Sequence, residues 1–192
     1  AGTVAELISA RPVLLLVNER SGTVQREGAA ALTDDLHRVL HRAGARPRIL
    51  RGDAPTLRDR AIEAANDAPE GLVVLVGGDG TIAAVGGALA GTGQVLLPLP
   101  AGTANLLCRD LGLYGEPREV LARTLAAGPV SAIDVGTAHL GEGREMSLTF
   151  LNQVVFGLYA ELAALRERTR SGVLDVVPEV FESLFQAVSQ EA

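Results

Sequence analysis

The sequence predicts an α/β fold, with a parallel sheet covered by helices through about residue 130 and a β-rich second lobe after it. Three observations carry this expectation. Short apolar runs alternate with segments of helical periodicity, three of those runs empty into polar glycine-bearing loops, and beyond residue 130 the pattern turns to two-residue alternation. At 192 residues the chain holds one good core, or one domain (1–130) and part of another (131–192) that reads as the incomplete beginning of a lobe.

Val13 to Val17 is the first strand, and it empties into Asn18-Glu19-Arg20-Ser21-Gly22-Thr23. A helix follows with apolar residues at Ala29, Leu32, Leu36, Val39, Leu40 and Ala43, closed by Gly44. His37 and His41 sit one turn apart on its polar face, but Arg38, Arg42 and the lack of a third ligand make them surface residues rather than a metal site. Arg48 to Leu50 and a helix from about Pro55 to Ala65 complete the second unit. The third strand is Leu72 to Val76, and the fourth runs from Val95 to Leu99, with Pro98 and Pro100 marking its frayed end. Beyond them Ala101-Gly102-Thr103-Ala104-Asn105 leads into another helix start at Leu106.

After a helix from about Pro117 to Ala127 the texture changes. Ser131 to Val135, Ala138 to Leu140 and Met146 to Val155, around a Gly141-Glu142-Gly143 turn, read as antiparallel strands. Gly157 to Glu161 then opens a helix bearing Arg166, Arg168 and Arg170, which Gly172 stops. A last amphipathic segment after Pro178 places Val180, Phe181, Leu184, Phe185 and Val188 on one side. That face calls for a partner, either a second subunit, as in a homodimer, or further sequence.

The most informative stretch is Leu72-Val73-Val74-Leu75-Val76 running into Gly77-Gly78-Asp79-Gly80-Thr81. Glycines let backbone N–H groups approach an anion closely, and Ile82, Val85, Ala88 and Leu89 place a helix start at the same spot, so the loop points to a phosphate. One carboxylate among the glycines would repel phosphate. It makes sense if Asp79 holds Mg²⁺, receives a proton or bonds a donor on the ligand. Loops after parallel strands converge on the carboxyl edge of the sheet, where open α/β folds bind ligands, so the three loops are expected to meet there.

Composition narrows the chemistry. A net charge of −6 and 3% aromatic residues argue against nucleic-acid binding, which needs cationic surface and stacking platforms. No apolar run approaches the length of a membrane span, so any membrane contact is expected to be peripheral. A single cysteine, Cys108, and no secretion signal at the N-terminus suggest a reducing, cytoplasmic setting. All 17 basic residues are Arg, which excludes a Walker A lysine, a protein-kinase strand lysine and Schiff-base catalysis. Gly78-x-Gly80-x-x-Ala83 also fits a dinucleotide fingerprint, but residues 94 to 106 contain no acid to bond a ribose.

Gly77-Gly78-Asp79-Gly80-Thr81, then Pro100-Ala101-Gly102-Thr103-Ala104-Asn105 and Asp110-Leu111-Gly112, resembles the diacylglycerol kinase catalytic domain. That family includes bacterial lipid kinases and sphingosine kinases, and is more distantly similar to NAD kinases and phosphofructokinases. The resemblance covers about residues 12 to 172, with Asn18 to Gly22 resembling the family's first loop and Phe150 to Glu161 the start of its second lobe. It implies a three-layer Rossmann-like lobe and a β-sandwich lobe with ATP in the cleft between them. Carried over, Gly77, Gly78, Gly80 and Thr81 would wrap the ATP phosphates, and Gly102, Thr103 and Asn105 would bind nucleotide from the next loop. Asn18, Arg20, Ser21 and Gly22 would do so from the first, and one of Arg166, Arg168 or Arg170 could reach phosphate from the second lobe. Asp79 would contact Mg²⁺ or help to activate the acceptor hydroxyl.

There are departures. Glu19 replaces the usual Pro of the first loop, Ala83-Ala84 replaces a polar pair after the central motif, and the family's later Gly-Asp-Gly-Glu-like motif is absent from this sequence. The leading expectation is a portion of an ATP- and Mg²⁺-dependent lipid kinase, phosphorylating a lipid hydroxyl at a membrane surface. The alternative is a catalytically incomplete nucleotide-binding module that docks a partner through its C-terminal amphipathic segment. A soluble-substrate kinase akin to NAD kinase is the third.

Overall fold

A computed structural model of the chain describes residues 2–68, 70–140 and 146–152. The sheet is built on two strands that are apolar at every position or nearly so. β1 (Val13–Asn18) and β3 (Leu72–Gly77) are buried along their whole length, as strands covered on both faces must be. They pair in parallel, Val13 opposite Leu72 through Val17 opposite Val76, and are flanked by β2 (Arg48–Gly52) and β4 (Val95–Pro100) in the order β2-β1-β3-β4.

Alternate side chains of these strands feed two separate cores, which makes three layers. On one face Leu15, Val17, Val74 and Val76 pack with α1 (Val4–Ala10), α2 (Gly22–Glu27), α3 (Ala29–Arg42) and α7 (Pro117–Ala127). On the other, Leu14, Leu16, Val73 and Leu75 meet α4 (Ala54–Asp67), α5 (Asp79–Leu89) and α6 (Leu106–Asp110). The chain leaves β1 toward one face and β3 toward the other. The loops after these two neighbouring strands therefore border the crevice where the winding reverses.

Several expectations change. Pro98 and Pro100 do not fray β4, since they pair with Leu75 and Gly77. The N–H groups of Val95 and Ala101 point to β3, so by alternation positions 96, 98 and 100 turn their nitrogens to the open edge, where a proline forfeits no ladder bond. Two short helices were not expected: α1, which a Thr3–Glu6 capping box starts, and α2, which begins inside the first loop.

Ser131 to Val135 is not a strand. The antiparallel pair is β5 (Gly136–Leu140) with β6 (Met146–Phe150), and it lies against α5 where Gly86 and Gly87 leave room. A Cβ on Gly86 would fall 2.6 Å from Leu151 Cδ1, and one on Gly87 would fall 2.7 Å from Thr149 Cγ2. Two mid-helix glycines each cost about 1 kcal/mol of helix propensity, and the close approach accounts for them. The Gly141–Gly143 turn, the helix expected to carry Arg166, Arg168 and Arg170, and the segment after Pro178 lie outside the described residues. No helix among the described residues is long and apolar enough to cross a membrane.

Candidate functional site

The loops after β1, β3 and β4 come together as expected, through contacts that leave little slack. Ala101 N donates to Gly77 O (3.0 Å) and Thr23 N donates to Ala101 O (3.1 Å), tying the third loop to both others. Gly78 and Gly102 meet backbone to backbone: a Cβ built on Gly102 would lie 2.6 Å from Gly78 Cα. Asn18 Nδ2 donates to Thr81 Oγ1 across 2.6 Å in a buried setting, joining the first loop to the second.

Asp79 is the first residue of α5, whose N-cap Gly78 offers no side chain. The first-turn N–H groups of a helix lack carbonyl partners, so those of Asp79, Gly80 and Thr81 form an electropositive start ready for an anion. Within this shell two buried side-chain oxygens, Asp79 Oδ1 and Ser21 Oγ, have no hydrogen-bond partner among the described residues. Leaving such atoms unpaired costs about 1–3 kcal/mol each, which a ligand can recover. A carboxylate oxygen suits a cation and a hydroxyl suits a phosphate oxygen, so the pair fits Mg²⁺ together with phosphate. No group of three or more His, Cys, Asp or Glu side chains among the described residues is placed to hold a metal ion. One carboxylate nevertheless suffices for Mg²⁺, which takes its remaining ligands from water and phosphate.

The other expected contacts divide by how their polar atoms are used. Asn105, in the left-handed region at φ 49°, turns both ends of its amide to its own loop: Oδ1 accepts from Gly102 N (2.8 Å) and Nδ2 donates to Gly102 O (2.9 Å). Asn18 is likewise bonded at both ends of its amide, since its Oδ1 accepts from Arg20 N (2.9 Å) and one N–H of its Nδ2 goes to Thr81. Thr103 and Gly80 are exposed, Gly22 and Gly102 half-buried, and Gly77 buried at the end of β3. Arg166 and Arg170 lie outside the described residues.

Arg20 is held loosely, 3.7 Å from Asp53, with its side chain 78% exposed. Asp53 is the N-cap of α4, and the Thr56 hydroxyl and backbone N–H keep its carboxyl below the usual range, with Arg20 adding a smaller push. Glu19 turns toward Arg51, 3.8 Å away at the end of β2, so its charge is partly countered. A cavity of about 790 Å³ lies elsewhere, along the open edge of β4 beside Val95, Leu96 and Leu97, and no residue of the three loops lines it.

The sequence reading did not place Cys108 at the site. Its thiol is fully buried in α6, and burial, then the charge of Asp79, push it up to about 12 from an ordinary 9.0. No motif marks it; only the apolar spacing of α6 hints at its burial. A raised thiol pKa in the folded state favours folding below the unfolded value. That contribution is lost as pH climbs from 9.0 toward about 12, by up to ~1.4 kcal/mol per pH unit. In metal-free buffer, urea midpoints are expected to fall across that window, and Cys108→Ala should flatten the decline. Iodoacetamide at pH 8 should spare the folded protein and label the unfolded one.

The catalytic domain of diacylglycerol kinases, as a family model, matches residues 12–138, well over half of the chain and all three loops. An uncharacterized protein of Synechocystis sp. is 28% identical over 138 residues, which cover 69% of this chain and 30% of that protein. A crystal structure of a diacylglycerol kinase from Bacillus anthracis str. Sterne is 26% identical, with a TM-score of 0.46, over 58% of this chain and 42% of that one. The chain thus spans less than half the length of either protein. Residues 12–138, which carry the three-loop cradle and the Asp79 carboxylate at the start of α5, place the chain in the diacylglycerol kinase catalytic domain family.

Proposed function

We propose that this chain is the nucleotide-binding part of an ATP- and Mg²⁺-dependent lipid kinase that transfers the γ-phosphoryl group to a lipid hydroxyl. The α/β part through residue 130 binds the nucleotide, and the residues from 131 begin the acceptor lobe. The observation that carries the reading is Asp79 Oδ1, buried and without a partner among the described residues, at the start of α5 between two glycine loops in backbone contact.

In this reading the N–H groups at the start of α5 and the hydroxyls of Thr81 and Ser21 take phosphate oxygens. Thr103 stands exposed on the third loop, free to meet the nucleotide. Arg20 can swing from Asp53 to a phosphate at little cost, because an exposed pair 3.7 Å apart is worth under about 1 kcal/mol. Asp79 would hold Mg²⁺, which supplies neutralisation of phosphate charge. Phosphoryl transfer is chiefly positioning and charge neutralisation, so backbone, hydroxyls, one carboxylate and guanidinium suffice without lysine. The acceptor oxygen bonds to the γ-phosphorus as the bond to the β,γ-bridging oxygen breaks; ADP leaves and the hydroxyl proton passes to water.

The test is calorimetry with Mg·ATP, followed by transfer of labelled phosphate to a panel of lipids with the complete gene product. Binding together with labelled lipid phosphate supports the kinase. Tight binding without transfer to any lipid assigns a nucleotide-binding module instead, and phosphorylation of NAD assigns a soluble-substrate kinase. Failure to bind Mg·ATP rejects all three.

A further inference from the structure

We infer that Asn18 is a positioning residue: its carboxamide, held by the backbone of its own loop, orients the Thr81 hydroxyl so that the hydroxyl proton is offered to a phosphate oxygen. Asn18 is 6% exposed at the end of β1 and Thr81 is 5% exposed in the first turn of α5, across the crevice where the winding reverses. The inference rests on the proposed nucleotide site and assigns Asn18 a role other than the direct nucleotide contact that residue type first suggests.

The orientation follows from donors and acceptors. Arg20 N is a backbone donor, so the Asn18 atom 2.9 Å from it must be the carbonyl oxygen. The amide nitrogen is then the atom 2.6 Å from Thr81 Oγ1, and that nitrogen can only donate. Thr81 Oγ1 is therefore an acceptor in this bond, and its own proton is left for another oxygen. Thr81 stands two residues after Asp79 in the same turn as the free N–H groups, so a phosphate there is the acceptor at hand.

Three consequences separate this role from a contact or a plain strut. A direct contact from Asn18 to base or ribose would bind adenosine as well as ATP, whereas an oriented Thr81 hydroxyl serves only the phosphates. A strut would act whether or not Thr81 carried a hydroxyl. An orienting amide has nothing to orient in Thr81→Val, which keeps the shape and removes the hydroxyl.

The experiment is a double-mutant cycle read by calorimetry on the complete gene product, with Mg·ATP and, by competition, adenosine. Asn18→Ala and Thr81→Val are each expected to weaken Mg·ATP about tenfold, the scale of one hydrogen bond to a charged group, with adenosine affinity moving less than about twofold. In the Thr81→Val background Asn18→Ala should weaken Mg·ATP by no more than about twofold. Should alanine at 18 fail to fold, Asn18→Asp is the second variant: it keeps the acceptor facing Arg20 and turns the donor into an acceptor that captures the Thr81 proton. Its loss of Mg·ATP affinity should shrink in the Thr81→Val background, where only its added charge remains. Additive losses, or adenosine weakening in step with ATP, overturn the positioning role while leaving the nucleotide site standing. A parent protein that binds no Mg·ATP overturns the proposed function, and this inference with it.

Discussion

Asp79→Asn is expected to lower phosphoryl transfer by the complete gene product about a thousandfold while leaving stability within about 1 kcal/mol of the parent. Asparagine has the same shape and keeps one oxygen, so the α5 start and its contact with the third loop have no steric reason to move. What it removes is the charge on a buried oxygen that has no partner among the described residues. Two opposing terms set the stability. A negative charge in the first turn of α5 gains about 0.3–1 kcal/mol from the helix dipole, and an unpartnered buried carboxylate oxygen costs about 1–3 kcal/mol. The amide escapes part of the second term and forfeits the first, so the two nearly cancel. Rates measured with Mg·ATP and a lipid acceptor, beside a urea titration of the same variant, check both halves. An activity loss matched by a stability loss above about 2 kcal/mol would make Asp79 a structural residue instead.

Sequence made the sheet legible because β1 and β3 are buried on both faces, which writes an unbroken apolar run, and because their loops are marked by glycines. The hidden parts are those whose signal is short or depends on a distant partner. α1 is seven residues long, about two turns and too few to show a helical period, so only its Thr3–Glu6 capping box marks it. Ser131 to Val135 has a strand's composition, yet no neighbour pairs with it among the described residues. Pro98 and Pro100 look like a strand ending until β4 is known to be an edge. The roles of Asn18 and Asn105 were the least readable. A carboxamide that binds nucleotide and one that staples a loop are the same residue type. Only the partners decide, and for Asn18 the partner is 63 residues away. Ser21 was named for its place in the first loop, but its standing as a free buried hydroxyl becomes visible only once its surroundings are assembled.

Gly102→Ala and Gly80→Ala should move in opposite directions on stability and in the same direction on binding. At Gly102 a methyl would meet Gly78 Cα at 2.6 Å and Asn105 Oδ1 at 3.0 Å, and the first of these is backbone that cannot rotate aside. The two loops must part. That strains the Ala101 N–Gly77 O bond and the two Asn105–Gly102 bonds, at a cost of about 1–3 kcal/mol. Gly80, inside the first turn of α5, has nothing within 4 Å of an added Cβ, so alanine there should raise stability by about 0.5–1 kcal/mol through helix propensity alone. Mg·ATP affinity is nevertheless expected to fall at least tenfold in both, because one substitution shifts the N–H groups out of line and the other stands a methyl where phosphate approaches. Urea midpoints and calorimetry on the two variants read the four values. If Gly80→Ala is stabilised and still binds Mg·ATP like the parent, phosphate does not pass over the start of α5, and the open space above Gly80 belongs to helix geometry rather than to a ligand.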